Sequence, residues 1–452
     1  MRVPFRLLCG FPKISGTGFR AAPLGRLSLS EPRIPLLRFL MSDILRDLAA
    51  AHGTPLYAYD LDIVAASTAA LRAELPAGAR LLHSFKANPL PAVARQARLG
   101  GAVAEITSEG EIEAARLAGH ALREALFGGP GKTEAEVMAA LAAGVRWFSC
   151  ESWTDLGRVS EAAARAGATA QVLLRVNPAE APSARLAMTG VESQFGFDEE
   201  ALLAAGTGAL AKFPGARIRG VHVYFGTQVA GVEALVENTR RALAVAERLE
   251  RALGFVCAVV NAGGGFPWPY ANDAPPPCLT GLREGLEEAW AESPLHGTAE
   301  LWFEAGRYLS AAAGTLVARV LEVKHSRARR FVILDTGIHH LGGMAGLGRI
   351  PRGAVTFLNL SGAPENAAAP PADIVGPLCT PLDSLARGMP LPDVRPGDLL
   401  AIPNVGAYGL TASLLGFLSH QAPLEIAHLG GEVLEVWRWR TGHERLNRAA
   451  LS

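Results

Sequence analysis

The sequence predicts an α/β protein in which a (β/α)8 barrel is joined to a mostly antiparallel C-terminal β domain. Between residues 70 and 310, eight short apolar segments alternate with helical stretches rich in Ala, Leu, Glu and Arg. This alternation is the pattern of repeated βα units on a parallel sheet, and eight units favour a closed barrel. Beyond residue 310, loops rich in Gly and Pro separate the apolar segments, which is typical of antiparallel strands.

Composition limits the classes of function that the chain can have. The 452 residues are 49% hydrophobic and 19% charged, with 43 basic and 43 acidic residues, which excludes a disordered chain and a coiled rod. The charges form no long run of one sign, and no apolar segment approaches the ~20 residues that span a bilayer. We therefore expect neither a nucleic acid nor a membrane as a partner.

The first forty residues differ from the rest of the chain. They contain six Arg and one Lys but a single acidic residue, Glu31. An organelle transit peptide has this composition, and an over-long reading frame is the alternative that we favour. The segment from Met41 already looks like a protein beginning, with an amphipathic helix followed by a short apolar strand. We predict that residues 1–40 lie outside the fold.

The cysteines give no sign of a metal or redox site. There are five, they lie far apart in the sequence, and none has CxxC or CxxH spacing. We expect no structural metal. The simplest interpretation is a protein of a reducing compartment, which favours a cytoplasmic location.

Each predicted barrel strand is a short apolar run followed by a polar or glycine-rich segment. In chain order the eight strands cover residues 80–84, 102–106, 124–127, 146–149, 171–176, 217–223, 257–261 and 300–304. Apolar residues at helical spacing lie between them, in residues 109–119, 132–144, 153–166 and 232–253.

The β domain is predicted from five apolar runs that follow the barrel. They cover residues 315–324, 330–337, 398–403, 423–429 and 432–440. The earlier strand 55–60 has no preceding helix that would complete a βα unit. We therefore assign residues 70–310 to the barrel and residues 41–69 and 311–452 to the β domain. Residues 339–372, which are rich in Gly, Pro and Ala, are predicted to be mostly loop.

Catalytic groups of such barrels lie at the C-terminal ends of the strands, and three of these ends carry unusual residues. Lys86 follows the first strand, where burial and neighbours could lower its pKa for Schiff-base chemistry. Gly263 to Gly265 follow the seventh, where backbone N–H groups can close around a phosphate. After the eighth strand, Glu304 can pair with a protonated ring nitrogen and Arg307 with the same phosphate.

Each feature alone has an ordinary explanation, as a solvated lysine, a glycine turn or a surface ion pair. All three explanations would have to hold together at strands one, seven and eight. A lysine, a phosphate cradle and a carboxylate are instead the partners that pyridoxal 5'-phosphate requires for its aldehyde, its phosphate and its ring nitrogen. The sequence therefore predicts this cofactor.

The chain resembles the fold-type III pyridoxal-phosphate decarboxylases, the family of diaminopimelate, ornithine and arginine decarboxylases, over nearly all of residues 50–445. Many ordered matches carry the resemblance, although each alone would be weak. They are FKAN (85–88), SEGEIEAA (108–115), LRVNP (174–178), TGVESQFGF (189–197), GVHVYFGTQ (220–228), GGGFP (263–267), EAGR (304–307), VGPLCTPLD (375–383), RPGDLLAI (395–402) and GAYG (406–409). The resemblance implies a barrel of the alanine racemase type and loss of an amino-acid α-carboxylate as CO2.

The resemblance also implies roles for individual residues. Lys86 would hold the cofactor as a Schiff base that the substrate amine displaces, Glu304 would pair with the ring nitrogen, and Arg175 would support the cofactor from strand five. The phosphate would be held by Thr227, Gly263, Gly264, Gly265, Arg307 and Tyr408.

The same resemblance implies a homodimer with shared active sites. Cys379 would reach the cofactor from the second subunit, and either it or Lys86 would reprotonate the carbanion left by CO2. Asp383, in the same loop, and Tyr408 would contact the substrate.

Two departures from the family pattern bear on the cofactor and the substrate. Tyr224 stands where the family commonly has a histidine stacked on the cofactor ring, and a tyrosine can also stack. Diaminopimelate decarboxylases usually carry Arg-Pro-x-x-Tyr after the Asp-x-Gly turn and Cys-Glu-Ser in the cysteine loop. This chain has neither, after Asp335 or at Cys379, so we expect meso-diaminopimelate to be a poor substrate.

The Cys-Thr-Pro-Leu-Asp loop and the GAYGLTASLLGFLSH segment are similar to specialised decarboxylases of siderophore, antibiotic and exopolysaccharide gene sets. Some of those act on carrier-bound or conjugated amino acids, so an acyl-carrier protein is a possible partner. The pair His339 and His340 could line such an altered pocket, and a metal site at this pair is disfavoured because no third ligand is suitably spaced.

Two other functions remain as alternatives. A racemase on the same barrel is disfavoured, because Glu304 would keep the ring nitrogen protonated and the cysteine loop matches decarboxylases. A catalytically silent relative that acts by binding a partner would have lost Lys86, the glycines or Cys379, and none is lost.

Overall fold

A barrel and a second β-sheet contain most of the described residues. The computed structural model describes residues 34–178, 192–342, 355–362, 370–391, 393–440 and 442–443. The chain divides into two units, residues 1–43 and 44–452. The first described elements are α1 (Ile34–His52), β1 (Leu56–Asp60) and α2 (Leu61–Ala73). α1 begins before Met41, where we expected the structured chain to start, and residues 1–33 lie outside the described residues.

Eight parallel strands form the predicted closed barrel, and a ninth strand of two residues, β7, extends it at one edge. The strands are β2 (Arg80–Ser84), β3 (Val103–Ile106), β4 (Leu126–Phe127), β5 (Trp147–Cys150), β6 (Ala170–Asn177), β7 (Phe197–Asp198), β8 (Ala216–Val223), β9 (Val259–Asn261) and β10 (Glu300–Ala305). Their order is β5-β4-β3-β2-β10-β9-β8-β6, and pairing of β5 with β6 closes the barrel. The sequence therefore predicted all eight barrel strands to within a few residues.

Helices follow the barrel strands, and local capping explains where several of them begin. The helices are α3 (Pro91–Leu99), α4 (Glu109–Leu117), α5 (Glu134–Ala142), α6 (Trp153–Arg165), α7 (Glu199–Ala205), α8 (Val232–Leu253), α9 (Leu282–Glu292) and α10 (Arg307–Ser310). The hydroxyl groups of Ser108, Thr133 and Ser152 accept the backbone N–H three residues later at 3.1–3.2 Å. Such caps satisfy N–H groups that lack a partner within the first turn.

Side chains fill the interior of the barrel. One buried cluster takes a side chain from each of four alternate strands, Leu82, Leu126, Leu173 and Val259, which is the layered arrangement expected of this fold. Trp302 completes the cluster, and the Arg80 guanidinium lies 4.7 Å from its ring. The interior is therefore packed, and a ligand must bind at the end of the barrel.

The second sheet is mostly antiparallel, as predicted. Its further strands are β11 (Gly314–Ser326), β12 (Arg329–Leu334), β13 (Leu358–Asn359), β14 (Ala372–Val375), β15 (Ser384–Met389), β16 (Leu399–Ile402), β17 (Leu424–Leu429) and β18 (Glu432–Arg438). The order is β15-β14-β12-β11-β1-β17-β18, with β16 on β11 and β13 on β16. β1 pairs with β11 and β17, so this early strand lies in the second sheet.

Three short strands of the second sheet were not predicted. β14 and β15 flank the loop that contains Cys379, and β13 lies inside the segment 339–372 that we predicted to be loop. Residues 343–354 and 363–369 of that segment lie outside the described residues. No helix in the described part of the chain is long and apolar enough to cross a membrane.

Candidate active site

A cavity of about 700 Å³ lies at the C-terminal ends of the barrel strands. Residues from seven of the barrel strands or the segments directly after them line it, including Lys86, Glu105, Arg175, His222, Tyr224 and Glu304. Successive residues of a strand point to opposite faces, so His222 and Tyr224, two apart near the end of β8, face the same space. The strand ends thus bring together four of the residues that the sequence predicted, Lys86, Arg175, Tyr224 and Glu304.

Lys86 lies between two carboxylates. Its Nζ donates to both carboxylate oxygens of Glu105 at 3.1 Å, and Glu304 Oε2 is 3.9 Å away. Burial alone would lower the lysine pKa, but the negative charges of Glu105 and Glu304 reverse this effect and raise the pKa above its ordinary value. Our expectation of a lowered pKa is therefore wrong for the protein without its cofactor, because the lysine faces two acids.

Glu304 is held rigidly at the base of the cavity. Its Oε1 accepts a hydrogen bond from Asn261 Nδ2 at 2.9 Å, and its backbone N–H donates to Gly263 O at 2.7 Å. His222 Nε2 is 3.2 Å from the same oxygen but is not aligned with it for a hydrogen bond. Burial, reinforced by Arg175, lowers the pKa of His222 well below 6.5, so Glu304 has an uncharged imidazole as its neighbour at neutral pH.

A smaller pocket lined by Lys86, Tyr224 and Glu304 extends the site toward Thr227, Arg307 and Tyr408. The Arg307 guanidinium carbon lies 4.7 Å from the centre of the Tyr408 ring, and Arg307 Nε is buried without a hydrogen-bond partner. A buried donor without a partner is costly unless a ligand accepts from it. This end of the site is therefore suited to an anion such as a phosphate.

The three glycines do not all face this pocket. Gly265 lines it, whereas Gly263 and Gly264 are not among its lining residues. A Cβ on Gly263 would lie 2.7 Å from Val223 O, and one on Gly264 would meet the carbonyl oxygen of Glu304. These two glycines allow the strand ends to approach each other, a packing role that the sequence did not predict.

Arg175 is placed on the cavity wall by a buried acid. Its NH1 donates to Glu151 Oε1 at 2.9 Å, and its guanidinium lies 4.8 Å from the Phe195 ring. Tyr224 lies on the wall near Lys86, with the ammonium group 5.9 Å from its ring centre. Burial raises the pKa of Tyr224 to about 12, so it presents a neutral phenol to a ligand.

Cys379 and Asp383 are not brought to this cavity. Cys379 is exposed on the loop between β14 and β15, and neither residue is among those that line the cavity. Both oxygens of the buried Asp383 carboxylate accept backbone N–H groups, from Ile338 and from Leu378, at 2.8 Å. Asp383 thus fastens the cysteine loop to the turn after Asp335.

His339 and His340 also lie away from the cavity. Their rings are 3.7 Å apart and buried, and neither lines the site around Lys86. Burial lowers the pKa of His339 to about 3 and that of His340 to about 4. Within the described ranges no group of His, Cys, Asp and Glu could hold a metal ion.

Sequence reasoning missed several residues of the site. Glu105 is the penultimate residue of β3, so a search of the C-terminal strand ends, which found Lys86, would also have reached it. Lys132 is harder to recognise, because it follows a glycine-rich turn. In the structure its buried ammonium group lies 2.8 Å from Asp155 Oδ2 and donates to Gly129 O and Ser149 O. Lys132 thereby fixes the loop 128–131 at the cavity mouth.

The polar groups of the site match the functional groups of pyridoxal 5'-phosphate. Lys86 provides an amine for the aldehyde, Glu304 a buried carboxylate for the ring nitrogen, and Arg307 a buried N–H for the phosphate.

Comparisons with known proteins agree with this chemistry. Residues 61–311 match the family model described as "Pyridoxal-dependent decarboxylase, pyridoxal binding domain". L-glutamyl-[BtrI acyl-carrier protein] decarboxylase of Niallia circulans is 33% identical over 84% of this chain and 89% of its own length. The diaminopimelate decarboxylase of Zymomonas mobilis is 31% identical over 81% and 86%, respectively.

A solved structure extends the agreement to the fold. Diaminopimelate decarboxylase from Helicobacter pylori, complexed with L-lysine, superposes with a TM-score of 0.76 at 26% identity and covers 88% of this chain and 97% of its own. The relatives are named decarboxylases, so the racemase and the silent binding protein are not favoured. The chain therefore belongs to the fold-type III pyridoxal-phosphate-dependent decarboxylases and is an amino-acid decarboxylase.

Proposed function

We propose that this decarboxylase acts on a conjugated amino acid, such as an aminoacyl group on an acyl-carrier protein, and uses free meso-diaminopimelate poorly. The cysteine loop carries this proposal. Its exposed residues Cys379 and Leu382 are uncharged, and the only acid of the 375–383 loop, Asp383, is engaged by backbone N–H groups. A loop of this kind offers no charge to the distal end of diaminopimelate.

The relative from Niallia circulans supports this choice of substrate class. Its name states that its substrate is an L-glutamyl group on an acyl-carrier protein. The distal carboxyl group of such a substrate is joined to the carrier, so the enzyme needs no charged group to recognise it. Burial of an unpaired charge costs several kcal/mol, which a conjugate avoids.

The described residues perform the reaction by holding the cofactor and moving protons. When bound, pyridoxal 5'-phosphate withdraws electrons from the substrate α-carbon, so that the α-carboxylate can leave as CO2. Glu304 places a negative charge where it keeps the ring nitrogen protonated, and the neutral His222 beside it adds no competing positive charge. Arg307, Thr227, Gly265 and Tyr408 bind the phosphate.

Further residues orient the cofactor and the substrate. Tyr224, as a neutral phenol, and Arg175, on β6, would hold the cofactor ring. Lys86 would hold the cofactor aldehyde, and its amine would be available to move a proton when the substrate amine takes its place. The lysine is a cation between Glu105 and Glu304, so Glu105, which accepts from its Nζ, would take up the ammonium proton while the free amine reacts and could return it afterwards.

We also propose that the active enzyme is a homodimer in which Cys379 of one subunit completes the site of the other. Cys379 is exposed and outside the cavity of its own subunit. A thiol that donates a proton to the substrate must come within hydrogen-bond reach of it. A second copy of the chain can deliver the loop to the open end of the barrel, with Asp383 holding the loop in shape.

We propose a cytoplasmic location, because none of the four described cysteines is paired and a reducing compartment keeps thiols free. Fractionation of the source cells, with the protein followed by antibody, tests this location. Its recovery in an oxidising compartment would contradict it.

Measurement of CO2 release tests the substrate proposal. The substrates to compare are ornithine, lysine, arginine, meso-diaminopimelate, free glutamate and glutamate linked to a carrier protein or to its pantetheine arm. We expect a conjugate to give the highest kcat/KM and diaminopimelate to be at least roughly 100-fold poorer, the equivalent of ~3 kcal/mol in transition-state binding. Preference for diaminopimelate with ordinary efficiency would overturn the proposal.

A further inference from the structure

Four residues with strained backbone meet at the phosphate end of the site. Gln228, Ala271, Asn404 and Tyr408 have φ angles between 54° and 57°, a left-handed conformation that residues with a Cβ rarely adopt. They come from three segments that are far apart in the sequence, and hydrogen bonds connect them. Strained backbone of this kind is kept where the surrounding structure requires it, often at a functional site.

Trp268 is the centre of this network. Its backbone N–H donates to Gln228 Oε1 at 2.8 Å, and its backbone carbonyl accepts from Gln228 Nε2 at 2.9 Å. Its indole Nε1–H donates to Asn404 Oδ1 at 2.9 Å. One tryptophan thus joins the barrel residue that follows Thr227 to the turn after β16 of the second sheet.

Asn404 and the residues beside Trp268 extend the network to Tyr408. Asn404 Nδ2 donates to Asn272 O at 2.6 Å, and Tyr270 Oη donates to Tyr408 O at 3.0 Å. The Tyr408 N–H donates to Ala87 O at 2.8 Å, directly after Lys86 in the sequence. The backbone of Tyr408 is therefore held from the barrel on both sides, and its ring is held beside Arg307.

We propose that Trp268 and Asn404 form a clasp that positions Tyr408 and Arg307 for the cofactor phosphate. The proposal rests on the phosphate roles proposed above for those two residues. Trp268 and Asn404 are positioning residues, because neither lines the pocket of Arg307. The clasp couples phosphate binding to the packing of the 404–408 turn against the barrel. A change that loosens this turn therefore lowers the affinity for the cofactor.

Two conservative variants test the clasp, each removing the indole hydrogen bond from one side. Trp268→Phe keeps an aromatic ring and loses the N–H, and Asn404→Gly loses the acceptor while tolerating the left-handed backbone. The matched control is Trp290→Phe. Trp290 lies in α9, outside this network, and packs edge-on against His296. The readout is the affinity of the apoenzyme for pyridoxal 5'-phosphate, measured by absorbance titration, with the rate of cofactor loss from the purified holoenzyme as a second measurement.

We expect each clasp variant to weaken cofactor binding roughly five- to thirty-fold, the effect of one lost buried hydrogen bond. The kcat at saturating cofactor should stay within about two-fold, because the reacting groups are untouched. Asn404→Gly also removes the hydrogen bond from Asn404 Nδ2 to Asn272 O, so its effect should be the larger of the two. The double variant should bind the cofactor no more weakly than Asn404→Gly alone, since the indole hydrogen bond is already absent there. The control should bind the cofactor like the unchanged protein.

Affinity and release rates equal to those of the control in both variants would overturn the clasp. Its failure is distinct from a failure of the substrate proposal, because the binding assay needs no substrate. If Trp268→Phe does not fold, the result for Asn404→Gly decides alone, since that variant retains every ring of the network.

Discussion

Lys86 departs most from what the sequence predicted, since a lowered pKa was expected and the structure places its ammonium group between two acids, Glu105 and Glu304. Lys86→Ala should abolish CO2 release, because Lys132, the other lysine among the residues that line the cavity, has its ammonium group held by Asp155 and by the carbonyls of Gly129 and Ser149. The variant should fold but lose stability, since Glu105 and Glu304 remain buried without their cation.

The stability loss should be modest. The Lys86 side chain is 40% exposed, so we discount the cost of breaking a buried pair to about 1–3 kcal/mol of unfolding free energy. CO2 release and urea unfolding of the apoenzyme measure the two effects. The exposed Lys212→Ala is the control, and near-normal turnover by Lys86→Ala would contradict the assignment of the nucleophile.

His83, which lies just before Lys86, predicts loss of stability in acid. Burial, helped by His120, lowers its pKa from 6.5 to about 4. Between these pH values the unfolded chain binds a proton at His83 that the folded protein does not bind. The free energy of unfolding is therefore unaffected by this residue above pH 6.5 and decreases as the pH falls toward 4. For this fully buried ring the loss reaches up to about 3 kcal/mol. Glu425, whose pKa burial raises to about 7, acts in the opposite sense.

Unfolding by urea between pH 4.5 and 7.5 measures this dependence. The variant His83→Gln should have a flatter pH profile of stability than the unchanged protein, because it removes one of the groups that bind a proton on unfolding. The exposed His325→Gln should leave the profile unchanged. Equal slopes for His83→Gln and the unchanged protein would show that the ring does not stay neutral in the fold.

At the scale of elements, the loop between β14 and β15 depends on Asp383. Asp383→Ala leaves the N–H groups of Ile338 and Leu378 without acceptors, which should cost about 2–4 kcal/mol of unfolding free energy and lower kcat by displacing Cys379. Asp383→Asn keeps one acceptor oxygen and should cost less.

Unfolding and steady-state kinetics separate the two roles of this residue. A structural role lowers stability and kcat together. If Asp383→Asn instead raised KM with no change in stability, Asp383 would be a substrate ligand, as the family resemblance implies, and its role in shaping the loop would be secondary.

The strands show which elements a sequence can reveal. β2 was predicted to the residue, because an apolar run is bounded by charged and polar residues on both sides. β14 was missed because it has only four residues and pairs with β12, on the far side of a long loop segment. β15 was missed because Ser, Arg and Gly interrupt its apolar residues. Hydrophobic periodicity shows which residues of one element share a buried face. It does not show which other strand that element pairs with.

At the scale of the whole molecule, the position of Cys379 predicts shared active sites. Inactive Lys86→Ala and Cys379→Ala subunits, mixed and allowed to exchange, should recover activity. Half of the dimers are then mixed and have one intact site of two, so about one quarter of full activity is expected. No recovery after demonstrated exchange would show that each site is built within one chain.

The sequence alone determined the barrel, the cofactor and the family. Lys86, Glu304 and Arg307 were found because strand ends are set by local patterns, and the fold brings all such ends to one side. β1 was assigned to the second sheet on a different local observation, the lack of a preceding helix that would complete a βα unit. Local pattern is sufficient when the topology itself guarantees that the residues meet.

Only the tertiary structure decided how those residues behave. The raised pKa of Lys86 depends on Glu105 and Glu304, and Glu304 is more than two hundred residues away in the sequence. Trp268 donates to Asn404 across a separation of 136 residues. The pKa of a side chain, the hydrogen bonds of a buried carboxylate and the strain of a turn all depend on which groups lie within a few ångströms. The local sequence pattern does not specify which distant residues become such neighbours.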